Sequence, residues 1–209
     1  MTRSTALLIR NVRPLAEQPV DVLLQDGRIS AIGAGLQVPA GCAVEEGGGS
    51  ILLPGLVESH THLDKTLWGL DWYRNEVGAR LVDKIDNERN FRAASGHDAA
   101  AQSLALARAF LANGTARLRT HVDVDTQAGL RHLQGVVATR NALVDVQQIQ
   151  IVALPQSGLL KRDGTAELLD QAMAAGADVL GGLGPCAIDG GPVRSLDVLF
   201  AIGERHVAP

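Results

Sequence analysis

Apolar positions follow two different rhythms along this chain, and the change between them divides it. Up to residue 53 they come in short runs, of which 6–11, 20–25 and 28–33 each read as a strand. Asp26-Gly27 lies between the last two and supplies the positive φ of a type I′ turn, which predicts a β-hairpin. Residues 43–46 and 50–53 flank Gly47-Gly48-Gly49 and are expected to pair in the same way. Residues 1–53 therefore predict a small antiparallel β unit.

From residue 54 the rhythm changes. A run at 52–57, punctuated by Pro54-Gly55, predicts a strand buried on both faces. A helix is expected over about 76–91. Ser95-Gly96-His97-Asp98 has the form of a capping box, opening a helix that stops at Asn113-Gly114. Leu104, Ala105, Phe110 and Leu111 fit its helical period. Strands at 116–124, 146–154 and 177–181 then alternate with helices at 126–143, 165–175 and 193–206. Strands alternating with helices predict βαβ crossovers and a parallel sheet, with four βα units in residues 54–209. No sequence repeat recurs, which excludes a solenoid.

Composition narrows the function classes. The 209 residues are 46% apolar and carry a formal charge of −4, enough for a sizeable core and too balanced for a disordered chain. The sixteen arginines are scattered, so no nucleic-acid partner is expected. Only four apolar residues precede Arg10, and no run approaches membrane-spanning length, so neither a signal peptide nor a membrane partner is expected. Cys42 and Cys186 make no metal spacing and read as reduced thiols of a cytoplasmic protein. His97 and His132 are expected on solvated faces.

The candidate chemistry begins at the polar end of the first strand after residue 53. His60 and His62 are two residues apart, and on a strand such residues point the same way, so both imidazoles can face one ion. Neutral imidazole is a common ligand for zinc or ferrous iron. A bare His-x-His is also an ordinary polar strand end. Here, however, the pair follows an apolar strand at its carboxyl end, where (β/α) barrels carry their chemistry.

Pro54-Gly55-Leu56-Val57-Glu58-Ser59-His60-Thr61-His62-Leu63-Asp64-Lys65-Thr66 resembles the first barrel strand of the amidohydrolase superfamily, and Leu-Asp-Lys-Thr points to its cytosine deaminase-like branch. Arg119-Thr120-His121-Val122-Asp123-Val124 resembles that family's second strand. Ile151-Val152-Ala153-Leu154-Pro155-Gln156 is similar to its third, and Gly176-Ala177-Asp178-Val179 to the start of its fourth. These matches occur in order across essentially all of the chain. They imply an α/β fold: the N-terminal portion of a (β/α)8 TIM-type barrel, about four βα units over 54–209, preceded by a β-sandwich segment at 1–53.

The resemblance also implies roles. His60 and His62 are the metal ligands for one divalent ion, Fe2+ or Zn2+, and His121 and Asp123 stand behind them as orienting residues. A satisfied polar residue at a strand end is the competing reading of His121. Gln156 hydrogen-bonds the pyrimidine ring, and Leu81 falls where the family has a leucine touching substrate. Trp68, Trp72 and Tyr73 either pack a loop on the barrel rim or line the pocket. The expected reaction is hydrolytic deamination of a pyrimidine or related heterocycle, with removal of an alkylamine from a triazine as the alternative. The family's further metal-binding His and Asp and its acid–base Glu lie on later strands, so the 209 residues alone are expected to be inactive. The expected partners are a small heterocyclic substrate and either a separate C-terminal half or a second copy of the chain. A non-catalytic half-barrel is the competing function class. The other zinc-deaminase architecture, His-x-Glu with Pro-Cys-x-x-Cys, is excluded, because Asp189 stands where the second cysteine belongs and no His-x-Glu occurs.

Overall fold

Asp26 and Gly27 both adopt positive φ, 50° and 74°, and turn β2 (Val20–Gln25) into β3 (Arg28–Gly33) as the predicted hairpin. This computed structural model describes residues 6–71 and 73–206. β1 (Ala6–Pro14) pairs antiparallel with β2, through a bulge between Ile9 and Val12. The pairing expected between the next two strands does not form. β4 (Ala43–Glu46) and β5 (Ile51–Leu52) each run parallel to β1, giving the sheet order β3-β2-β1-β4 with β5 further along β1. Gly47 gives the reason. A Cβ there would lie 2.2 Å from Val12 Cγ1, and the Gly47 N–H donates to Arg10 O at 2.8 Å, so the turn packs on β1 rather than folding the two strands together. Leu8, Val12 and Val22 form the buried face of this unit, which spans Met1–Pro54.

The second unit, Gly55–Pro209, holds a four-stranded parallel sheet in chain order: β6 (Leu56–Thr61), β7 (Thr115–Asp123), β8 (Gln148–Leu154) and β9 (Val179–Leu180). The helices are α1 (Leu81–Ser95), α2 (Ala99–Ala112), α3 (Arg131–Ala142), α4 (Thr165–Ala174) and α5 (Pro192–His206). This is the strand-and-helix order of a partial (β/α) barrel, with β6–β7 connected by two helices. The core gathers Leu118, Val122, Ile149, Ile151 and Ala153 from the strands with Ala107, Leu133, Val136, Leu169 and Ile202 from the helices. α3 lies close on the start of α2 because Gly135 has no side chain; a Cβ there would meet Ala100 N at 2.8 Å. Among the described residues no helix is long and apolar enough to cross a membrane.

Several local expectations need correction. β6 begins at Leu56, and Leu56 and Val57 are exposed rather than buried, because among the described residues β6 pairs only with β7. α1 starts at Leu81, later than its composition suggests. The capping box is also misplaced: Ser95 ends α1, Gly96 closes it at φ 64°, and Asp98 alone caps α2 by accepting from the N–H groups of Ala100 and Ala101. Neither histidine assigned to solvent is there. His97 is half-buried and its Nε2 bonds the carbonyl of Thr66, while His132 is buried on the inner side of α3.

Candidate active site

The carboxyl ends of β6, β7 and β8 carry the candidate residues. Beyond Thr61 the chain is stitched under the end of β7. The Leu63 N–H donates to Thr120 Oγ1 at 3.0 Å, and the Asp123 N–H donates to Asp64 Oδ2 at 2.9 Å. Leu63 and Asp64 are fully buried as a result. This turn sets His62, whose Nδ1–H donates to the backbone carbonyl of His121 at 2.8 Å. A carbonyl oxygen can only accept, so the proton sits on Nδ1 and Nε2 keeps its lone pair.

His60 lies beside it with ring centroids 5.5 Å apart, edge to face, and stacks on the ring of His121 at 4.0 Å. His121 therefore does two things: its carbonyl orients His62 and its ring backs His60. Its Nδ1 is buried without a partner. Asp123, the other expected orienting residue, turns elsewhere. It accepts from Arg92 Nη2 at 2.9 Å and from the Gln156 N–H at 3.2 Å.

Electrostatics favour neutral imidazoles. Burial, with the nearby Lys65 charge, lowers the pKa of His62 to about 4, and burial likewise lowers that of His121, with His60 beside it. Burial raises the Asp64 carboxyl to about 7, against the pull of Lys65. Burial raises Asp123 also, opposed by Arg92. Asp64 Oδ1 has no hydrogen-bond partner and lies 3.9 Å from His62 Nδ1.

These features suit a divalent cation at one corner. The imidazoles of His60 and His62 lie side by side, and His62 is neutral with its distal nitrogen freed by a main-chain bond. They do not complete a site, because among the described residues no group of three His, Cys, Asp or Glu side chains is placed to hold an ion.

Gln156 is buried two residues past β8. Its Oε1 accepts from Lys65 Nζ and its Nε2 donates to Glu88 Oε2 at 3.2 Å. Glu88 also pairs with Lys65 at 3.2 Å and lies 3.7 Å from Arg92 Nε. Lys65 belongs to the Leu-Asp-Lys-Thr motif, but nothing in its sequence context marks it as a partner of Gln156. Glu88 and Arg92 carry no sequence signal at all beyond lying on a helix.

Leu81 opens α1 and is exposed. Trp68 is exposed, and Tyr73 packs on Phe91 at 4.3 Å and bonds Asn87, which fits the rim reading for these two. Trp72 lies outside the described residues. Cys42 and Cys186 are free thiols.

No protein-family model matches the chain. A crystal structure of N-isopropylammelide isopropylaminohydrolase from Burkholderia multivorans superimposes on it with a TM-score of 0.92 at 64% identity, over 97% of this chain and 51% of that one. The 5-methylcytosine deaminase of Klebsiella pneumoniae, liganded with 5-fluorocytosine, matches with a TM-score of 0.78 at 30% identity, over 96% of this chain and 49% of that one. Among curated proteins, N-isopropylammelide isopropyl amidohydrolase of Pseudomonas sp. strain ADP is 26% identical across 99% of this chain and 52% of its own length. The chain thus spans about half the length of these relatives. Its homologues and structural neighbours are members of the amidohydrolase superfamily, and the chain matches their N-terminal part.

Proposed function

We propose that this chain supplies one wall of the active site of a metal-dependent hydrolase that removes ammonia or an alkylamine from a nitrogen heterocycle. The observation that carries this is the pairing of His62 with the His121 carbonyl, which frees Nε2 of His62 beside the imidazole of His60 at the carboxyl end of the sheet. His60 and His62 would hold the ion through their free nitrogens. A divalent ion in such a site supplies Lewis acidity that makes water a nucleophile near neutral pH.

The chain's own residues do the remaining work. Gln156, buried two residues past β8, keeps one N–H and one lone pair beyond those given to Glu88 and Lys65, and either can bond a polar group of the ring. Burial of Asp64, Asp123 and Thr120 behind the histidines keeps water from that side. The 64% identity to an enzyme named for its isopropylammelide substrate, against 30% to a cytosine-type deaminase, favours an alkylamine as the leaving group.

The test is substrate turnover by the full-length, zinc- or iron-loaded enzyme with Gln156→Leu. Turnover of N-isopropylammelide and of cytosine should fall sharply while metal content stays unchanged, because ring polar groups are left unpaired. Unaltered kcat/KM for whichever substrate is turned over would remove Gln156 from the site.

A further inference from the structure

The carboxamide of Gln156 is engaged at both of its polar atoms. Lys65 Nζ donates to Oε1, and Nε2 donates to Glu88 Oε2 at 3.2 Å. Lys65 and Glu88 also bond each other, so the pair closes a ring of contacts over the edge where the amide's acceptor and donor lie side by side. An ammonium has only donors and a carboxylate only acceptors. Together they offer that edge the same donor and acceptor that the N–H and C=O of a lactam would. A heterocycle and the Lys65–Glu88 pair therefore compete for one place.

Glu88 is the partner able to leave. Its side chain is 29% exposed against 12% for Lys65, and it stands on α1, where only Ile85 and Arg92 are buried. It also has a second seat. Arg92 lies one helical turn further on, its Nε buried without a hydrogen-bond partner and 3.7 Å from Glu88 Oε1. That gap is too long for a hydrogen bond. The terminal torsion of a glutamate is soft, so side-chain rotation can carry the carboxylate from Nε2 of Gln156 to Nε of Arg92. A hydrogen bond to the carboxylate is exchanged for another, and a buried donor gains the partner it lacks. Arg92 itself is fixed, with Nη2 on Asp123 at 2.9 Å and Nη1 against His132 Nδ1 at 3.1 Å.

We propose that Glu88 is an autoinhibitory contact, which occupies the Gln156 carboxamide in the ring-free state and passes to Arg92 Nε when a ring binds. This rests on Gln156 being the residue that meets the heterocycle. While Glu88 is seated on Gln156, a ring reaches the amide only through its remaining N–H or lone pair. Once Glu88 has turned away, Nε2 recovers the hydrogen it gave, and Oε1 can keep Lys65 on one lone pair and accept from the ring with the other. A binding-competent form that is only partly populated weakens apparent affinity by that fraction.

The experiment is steady-state kinetics of the zinc-loaded full-length enzyme on N-isopropylammelide and cytosine, read on whichever is turned over. Glu88→Ala removes the occupant and should lower KM by about threefold or more, with kcat/KM rising in step. Glu88→Asp, one methylene shorter, should move KM the same way and serves if the first variant folds poorly, since a misfolded fraction lowers apparent kcat and leaves KM alone. A positioning role for Glu88 would raise KM and a purely structural role would leave it unmoved, and either result overturns the proposal. Arg92→Lys withdraws the second seat and should raise KM in the parent but not in the Glu88→Ala background. An equal rise in both would show that Arg92 acts only through Asp123 and His132, and the transfer to Arg92 fails. Gln156→Leu measured alongside separates the two readings. If it sharply lowers kcat/KM while Glu88→Ala leaves KM unmoved, the autoinhibitory contact fails and Gln156 stands. If Gln156→Leu leaves kcat/KM unaltered, the site reading fails first.

Discussion

The Nδ1–H of His62 is bonded to the main-chain carbonyl of His121, 2.8 Å away across the ends of β6 and β7. Carboxylates often hold a metal-binding histidine in this way; for the candidate ligand His62 the backbone does it. The contact therefore survives any substitution of the His121 side chain that leaves β7 in place.

That separation gives the first prediction. In the full-length enzyme, His121→Ala should weaken zinc binding by at most about tenfold, through loss of the ring that stacks on His60. His60→Ala and His62→Ala should each abolish stoichiometric retention. Competition against a chelator measures all three, and an equal loss from His121→Ala would mean that its ring, not its carbonyl, does the orienting.

A second prediction concerns acid. Burial, with the Arg92 charge, lowers the pKa of His132 to about 4, against 6.5 for an exposed histidine. The unfolded chain therefore takes up this proton first. The stability that comes from keeping His132 neutral is whole above pH 6.5 and is lost as pH falls toward 4, on the order of 1 kcal/mol per pH unit. Asp64 works in the opposite sense, because its raised pKa stabilises the fold at low pH and that contribution fades as pH rises toward 7. Asp64 Oδ2 lies 3.8 Å from His132 Nδ1, so comparing urea midpoints of the parent and His132→Gln across this window reads His132 together with its coupling to Asp64. The variant should lose less stability on acidification, and parallel curves would show that His132 is charged or solvated in the fold.

A third prediction follows from the open face of the sheet. Leu56 and Val57 on β6 are 53% and 63% exposed, and Val193 and Phe200 on α5 are 73% and 68% exposed. A sheet edge beside exposed apolar side chains is a template for association. The 209-residue chain should show weight-average mass rising with concentration in sedimentation experiments. A single monomeric species at all concentrations, with a cooperative thermal transition, is the contrary result.

The elements were legible in the sequence wherever local chemistry dictated them. Asp26-Gly27 named its turn, and the alternation after residue 54 named a parallel sheet. The His60–His62 spacing and the family resemblance marked the end of β6 as the place to look. What sequence hid was pairing at a distance. Nothing near Gly47 says that the turn needs the space beside Val12, so β4 and β5 were not readable as partners of β1. His132 looked solvated because its helix carries polar residues, yet Arg92 from forty residues earlier sits 3.1 Å from its Nδ1. Glu88 was hidden for the same reason: its meaning lies in Lys65 and Gln156, which only the fold brings to it.

α1 has one more consequence. Only Ile85 and Arg92 of its fifteen residues are buried, and its attachment to the strand ends runs through charged pairs: Asp86 with Arg162, Glu88 with Lys65, Arg89 with Asp125 and Arg92 with Asp123. A helix moored by ions rather than by oil answers to ionic strength. Its amides should exchange with solvent earlier than those of α2 or α3, and earlier still as salt screens the pairs exposed at its rim. Of these three helices, the one that holds the Gln156 carboxamide is thus the one the molecule can most readily lift.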